Sequence, residues 1–336
     1  MFERFLKWTL ILLVVAHVVV IGGYFARTWR AVYKQRAIPV EAREFTIARG
    51  ASLNDTLERL HQMELSPSPL MVRLIMVWND HQVVVKTGHY QLPEKASTWE
   101  LLWLFEEGRV ELHKITIPEG LDKWQTAELL GESQWGDASE FAALIEDPSL
   151  IAEVDPKAPD LEGYLFPETY FFPKDATPKE VVGTMVRHFI NRTEDLRPRL
   201  AERGFTVREW LAMASMIERE SSIEEERTTI SGVFANRIKT GMLLQCDPTI
   251  IYSLKREGLY KGKIYKSQIR YDSPYNTYVY KGLPPGPIAS PGFSSLKAAL
   301  EPDETPYYYF VARDDGSHQF SENLRDHNRA VRKYQR

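Results

Sequence analysis

Two carboxylates near the middle of the chain have the residue type and setting that acid chemistry requires. The stretch Trp210–Asp247 opens as a helix that is apolar on nearly every side. Trp210, Leu211, Met213, Ala214, Met216 and Ile217 leave little polar surface, which predicts a buried helix. Glu218 and Glu220 are set into it. At about 100° per residue, Glu218 falls between Ala214 and Leu211, and Glu220 between Met213 and Met216. An acid pressed against apolar neighbours is harder to ionise, so its pKa rises. A carboxyl that keeps its proton near neutral pH is what general-acid chemistry needs. The plainer alternative is structural. A buried Glu at a helix end often partners an Arg, and Arg219, Arg227 and Arg237 are close in sequence.

Further polar groups follow. A second helix is expected from about Glu224 to Thr240, ended by Gly241. Asp247-Pro248 reads as the start of another, with Asp247 either its N-cap or a second working carboxylate. Asn276-Thr277-Tyr278 and Gly282–Pro287 form a Pro- and Gly-rich loop that would suit a substrate-binding wall. Gln245, Asn236 and Asn276 are candidates to hold a polar ligand, although each taken alone reads more readily as structural. His318 and His327 read as structural too, since no metal-ligand spacing such as H-E-x-x-H is present.

The elements that must position these residues begin at the N-terminus. Trp8–Ala26 carries no formal charge and is long enough to cross a bilayer as a helix, with Trp8, Tyr24 and Trp29 placed for the interfaces. No small-x-small pair follows closely, so an uncleaved anchor is expected rather than a signal peptide. Arg4 and Lys7 flank one side; Arg27, Arg30, Lys34 and Arg36 flank the other. Counted naively, that bias would leave the C-terminal bulk in the cytoplasm.

Beyond the anchor, Phe45–Gly50 reads as a short strand, and Ser52 caps a helix through Met63. A helix over about Leu70–Trp78, a strand over Lys86–Gln91 and a helix capped by Thr98 through Glu107 follow. The pattern Thr46-Ile47…Gly50…Thr56-Leu57-Glu58…Leu60 recurs seventy residues later as Thr116-Ile117…Gly120…Thr126-Ala127-Glu128…Leu130. Two similar small α+β units or a coincidence of common strand–turn–helix sequences would both explain it. Pro178 opens a long amphipathic helix expected to reach Glu202. Tyr307–Ala312 and His318–Phe320 form a hairpin around Asp314-Asp315-Gly316, and Ser321 caps a last helix to Tyr334.

Composition sets outer limits. The 336 residues allow two or three domains. A net charge of −4 argues against a nucleic-acid binder. The single cysteine, Cys246, excludes an intramolecular disulfide and a Cys-rich zinc site.

In this order, the apolar segment, Leu161–Tyr170, Ala214–Glu220 (ASMIERE), Gln245–Tyr252 (QCDPTIIY), Asn276–Tyr278, Gly282–Pro287 and Tyr307–Phe320 resemble the MltG (YceG-like) family of membrane-anchored endolytic murein transglycosylases. One departure is Cys246, where a hydroxyl residue is more usual. The resemblance implies an α+β fold: a short cytoplasmic N-terminus (1–7), a transmembrane anchor (8–26), a juxtamembrane linker (27–43), a LysM-like glycan-binding subdomain (44–110) and a larger catalytic domain (111–336). It implies cleavage inside nascent peptidoglycan strands between N-acetylmuramic acid and N-acetylglucosamine, leaving a 1,6-anhydromuramyl end and terminating strand growth.

Glu218 matches the family's catalytic glutamate, acting as acid and then as base. Gln245, Asp247, Asn236, Asn276 and Glu220 are the expected sugar-binding or site-tuning residues. Membrane-bound peptidoglycan synthases are the expected partners. No metal, cofactor or nucleic acid enters. The substrate lies outside the cytoplasmic (inner) membrane, so the bulk of the chain is expected in the periplasm despite the flanking charges. A non-catalytic, membrane-tethered glycan-binding scaffold is the alternative.

Overall fold

The computed structural model describes residues 2–335; Met1, Arg336 and the side chains of residues 2–6 lie outside it. The side chains of the expected cytoplasmic stub 1–7 fall almost wholly there, while its backbone from Phe2 belongs to the first helix. The chain divides into two compact units, residues 1–113 with 172–175, and residues 114–171 with 176–336.

The first unit begins with α1 (Phe2–Tyr33). Its 27 residues Lys7–Tyr33 have the length to cross a membrane, and the most apolar 18-residue stretch within them has a mean hydropathy of 2.3. The linker expected from residue 27 is therefore helical as far as Tyr33. From Phe25 onward the helix packs on its own unit, with Val32 fully buried among Leu57, Val72, Ile75 and Met76. Then come β1 (Arg36–Ala37), β2 (Glu44–Ile47), α2 (Leu53–Gln62), α3 (Pro69–Trp78), β3 (Gly88–Gln91), β4 (Lys95–Ala96) and α4 (Thr98–Glu107). β1 pairs antiparallel with β4, and β2 with β3, Phe45 opposite Tyr90. Phe45 and Tyr90 both pack on Phe105 of α4. The cap of α4 is Ser97 rather than Thr98. Ser97 holds the extended conformation a cap needs and exchanges bonds with Glu100 three residues on.

β5 (Leu112–Thr116) leads into the second unit, where α5 (Lys123–Gly131) and α6 (Ala138–Ile145) precede β6 (Thr169–Pro173). β5 pairs with β6, and the division between the units falls within that ribbon. Strand–helix–helix–strand therefore occurs twice, as β2–α2–α3–β3 and β5–α5–α6–β6. The seventy-residue sequence recurrence maps onto equivalent places. Gly50 and Gly120 turn at φ +79° and +78°. Ser52 and Asp122 begin capping boxes, and Thr56 and Thr126 are buried.

α7 (Pro178–Arg192) stops ten residues short of the expected Glu202. Pro198 has no N–H to continue the ladder, and the buried Thr193 hydroxyl bonds back to the Phe189 carbonyl at 2.7 Å. A separate short helix, α8 (Leu200–Arg203), ends at Gly204. α9 (Val207–Glu220) starts at a Thr206–Glu209 capping box and is buried along Trp210–Ile217. α10 (Arg227–Thr240) ends at left-handed Gly241, and α11 (Asp247–Arg256) follows. Asp247 is the first residue of α11 and not its cap. Its carboxylate instead accepts the Tyr278 hydroxyl at 2.6 Å.

α12 (Phe293–Leu300) packs on α9, where the Trp210 indole donates to the Leu296 carbonyl at 2.8 Å. The antiparallel hairpin β7 (Tyr309–Ala312) and β8 (His318–Ser321) precedes α13 (Leu324–Tyr334). Asn323 caps α13, because Ser321 is still paired in β8 opposite Tyr309.

Candidate active site

The site lies within the second unit, where α9 runs out. Ser221, in extended conformation, ends the helix one residue after Glu220. Glu218 therefore projects from a rigid, buried helix near the point where α10, α12 and the segment before α5 meet. Its side chain is only 6% exposed. One oxygen accepts the Arg227 guanidinium at 3.0 Å, and the other accepts the Gly292 N–H at 2.9 Å.

Arg227, 8% exposed, also bonds Ser294 and reaches Glu119 at 3.4 Å. Glu119 sits on the loop before α5. That loop is tied to the chain ahead of α12 by the Gly120 N–H to the Ser290 carbonyl and the Ser290 N–H to the Leu121 carbonyl. Gly120 is also a close-packing position, because a Cβ there would touch Glu218 and Arg219. A cavity of about 720 Å³ opens at this point, lined by Glu119, Arg227, Thr228, Phe293, Ser294 and Lys297 among others.

Burial pushes the Glu218 carboxyl up from the ordinary range. The Gly292 N–H, the Arg227 charge and Ser295 pull it back, while the Glu119 charge adds to the rise. Burial prevails, so the group holds its proton more tightly than a free glutamate does, although a cation touches it. Both early readings of this residue are thus met in part: the acid is buried, and it is paired with an arginine.

Glu220, two residues on, has other company. Burial raises it as well, and so does Asp247, whereas Cys246, His318 and Arg237 lower it. Cys246 is fully buried beneath it, and burial beside Glu220 drives the thiol well up. His318 is held by Glu226 at 2.7 Å, and Arg237 by the carbonyls of Tyr308 and Leu244.

Gln245 and Asp247 are exposed on either side of Cys246. Gln245 is left-handed at φ +51°, unusual for a residue with a side chain, with its N–H on the Thr277 carbonyl. The structure brings Glu220, Gln245, Asp247 and Tyr278 into one neighbourhood. It gives the other two amides backbone work. Asn236 donates to the carbonyls of Thr305 and Tyr307, and fully buried Asn276 to those of Ile269 and Tyr271.

The Gly282–Pro287 segment does not itself line the Glu218 cavity. The acid is walled by the residues that follow, Gly292 to Ser295. Glu119 and the Gly292 N–H were not singled out from sequence. Glu119 stands about a hundred positions from Glu218, and a backbone donor carries no side-chain signature.

A second buried acid was also missed. Glu162, in the aromatic stretch 161–170, accepts the Lys123 N–H at 2.9 Å and is pushed up to about 8, chiefly by burial. Asp122 and Asp160 add to the rise. They are themselves paired with Lys255 and Lys123.

Fold and site together define an α+β protein with one N-terminal apolar helix of membrane-spanning length and, beside a cleft, a buried acid whose pKa is raised by that burial. The YceG-like family model matches residues 45–333, and the chain belongs to that family. It is 35% identical to a protein of Bacillus subtilis named endolytic murein transglycosylase, over 66% of this chain and 65% of that one. A protein of the same name from Streptococcus pneumoniae is 28% identical over 92% of this chain and 62% of its own length. The chain thus spans somewhat under two-thirds of the curated relatives it matches. A crystal structure of a yceG-like protein from Listeria monocytogenes superposes with a TM-score of 0.59 at 30% identity, over 89% of this chain and 99% of that one.

Proposed function

We propose that the protein is a membrane-anchored lytic transglycosylase that cuts peptidoglycan glycan strands internally, with Glu218 as its catalytic acid and base. The observation that carries the reading is the environment of Glu218: a buried carboxyl with a raised pKa, one residue removed from a 720 Å³ polar cleft through Arg227 and Glu119. The names of the relatives agree with it.

Protonated Glu218 gives its proton to the glycosidic oxygen linking N-acetylmuramic acid to N-acetylglucosamine. The C1–O bond breaks, and positive charge develops on the muramyl ring. The carboxylate left behind is stabilised by Arg227 and the Gly292 N–H. It then takes the proton from the muramyl C6 hydroxyl as that oxygen closes onto C1. The product carries a 1,6-anhydro end, and Glu218 is protonated again. No water is consumed, and the intramolecular nucleophile has the advantage of proximity. Gln245, Asp247 and Glu220 are the residues proposed to bind sugar or tune the site. Asn236 and Asn276 are not carried forward, because their amides are spent on backbone carbonyls.

α1 anchors the chain in the cytoplasmic membrane with the bulk in the periplasm, where nascent strands are made; cutting them there would end their growth. The β2–α2–α3–β3 arrangement is consistent with a LysM-like glycan-binding module, and wall synthases are the natural partners. Replacing Glu218 with Gln and digesting purified glycan strands tests the mechanism. Anhydromuramyl ends, read by mass spectrometry, should vanish; undiminished ends would remove Glu218 from the reaction.

One observation favours the alternative scaffold: the Glu218–Arg227 pair is also what a purely structural helix end would present. Glycan capture that survives Glu218→Gln, with no turnover by the unaltered protein, would establish that reading instead.

A further inference from the structure

α3 is a ten-residue helix with two apolar faces, and the described residues cover one of them. Val72, Ile75 and Met76 are buried in the core of the first unit, against Val32 of α1 and Leu57 of α2. Leu70, Leu74, Val77 and Trp78, at i, i+4, i+7 and i+8, lie together on another face and are exposed; Val77 is 79% and Trp78 71% accessible. A soluble surface rarely leaves so many large apolar groups together without an occupant. The helix is half the length needed to cross a bilayer.

Its position identifies the occupant. The Trp78 ring lies 5.1 Å from that of Phe25, and the next residue, Asn79, donates to the Tyr33 hydroxyl at 3.1 Å. Phe25 stands one residue before the end of the uncharged stretch of α1, whose exposed Leu, Val and Ile side chains would meet lipid. The exposed face of α3 therefore begins where the apolar surface of the anchor ends. Tryptophan is favoured at that depth, and exposed Arg73 on the same helix can reach a phosphate headgroup.

We propose that α3 is a second membrane contact, lying in the headgroup–acyl boundary of the bilayer that α1 spans and seating the first unit on the membrane surface. The proposal rests on the reading of α1 as an anchor. With four apolar side chains in lipid and the buried face fixed to α1, the unit would be held against the membrane instead of swinging from a tether.

The test uses the full chain in phosphatidylethanolamine–phosphatidylglycerol vesicles, with one added cysteine at a time carrying a nitroxide. Cys246 is buried and does not compete for label. Positions are Leu74→Cys and Val77→Cys on α3, Val15→Cys in the span and Glu58→Cys on the exposed side of α2. Collision rates with oxygen, which partitions into lipid, and with a water-soluble nickel chelate are measured by electron paramagnetic resonance.

The oxygen-to-nickel ratio at Leu74 and Val77 should be several-fold above that at Glu58 and approach that at Val15. Ratios at both α3 positions equal to that at Glu58, with Val15 still lipid-like, would overturn the proposal, leave the anchor intact and point to a protein covering this face. A water-like ratio at Val15 would overturn the anchor reading, and the proposal with it.

Discussion

The two sides of the α9 C-terminus make a useful contrast. Glu218 and Glu220 are two residues apart on one helix, and burial raises both. Glu218 meets Arg227, the Gly292 N–H and, through Arg227, the cleft-lining Glu119. Glu220 meets the Cys246 thiol and the charges of Asp247, His318 and Arg237. A raised pKa alone therefore does not single out a catalyst. What differs is the setting: the arginine that holds Glu218 itself lines the cavity, whereas Cys246, Asp247, His318 and Arg237 around Glu220 do not.

Four experiments would break or sharpen that contrast. The largest effect is expected for Glu218→Gln, which should lower turnover by about 10²–10⁴ while leaving far-ultraviolet circular dichroism unchanged. Glu220→Gln should cost under about tenfold in kcat/KM, equivalent to about 1.4 kcal/mol. An equal loss in the two variants would dissolve the distinction between the two sides.

Glu119→Gln tests the electrostatics of the Glu218 side. The Glu119 charge raises the Glu218 carboxyl, so removing it should lower that pKa and move the alkaline limb of the rate profile to lower pH. Around Glu218 the groups that count are Arg227 from α10, Glu119 before α5, and the Gly292 N–H and Ser295 at the start of α12. A limb that does not move would separate Glu119 from the acid.

The smallest effect on turnover belongs to Glu162→Gln, since Glu162 is buried and does not line the cavity. Its effect should be on stability. In the native state the group titrates at about 8, against 4.5 for an ordinary glutamate. Below the ordinary value both states are protonated, and the contribution of the proton-retaining native form is complete. As pH rises between the two values, unfolding releases a proton and stability falls, by up to about 1.4 kcal/mol per pH unit. Above about 8 the loss is complete. Denaturant melts across this range should show the slope in the unaltered protein and flatten it in Glu162→Gln.

Much of the local structure was legible. The buried α9, the Gly241 stop of α10, the Asp315-Gly316 hairpin and the capping of α2 by Ser52 all follow from spacing and turn chemistry. Errors fell at boundaries, where neighbouring residues compete for one role. Ser97 displaced Thr98 as the cap of α4, Asn323 displaced Ser321, and Pro198 with Thr193 cut α7 short of Glu202.

The sequence by itself determined that a carboxyl at position 218 would sit on an apolar helix, and that an uncharged helix of spanning length stands at the N-terminus. Both are local properties, set by side-chain periodicity and run length. Only tertiary structure decided that Arg227 and Gly292 would be the partners of that carboxyl, that Asp247 would bond Tyr278 instead of capping its helix, and that Trp78 would meet Phe25. Arg227 was one of three nearby arginines, and packing alone chose among them; the other pairings join residues far apart along the chain, which no local pattern encodes.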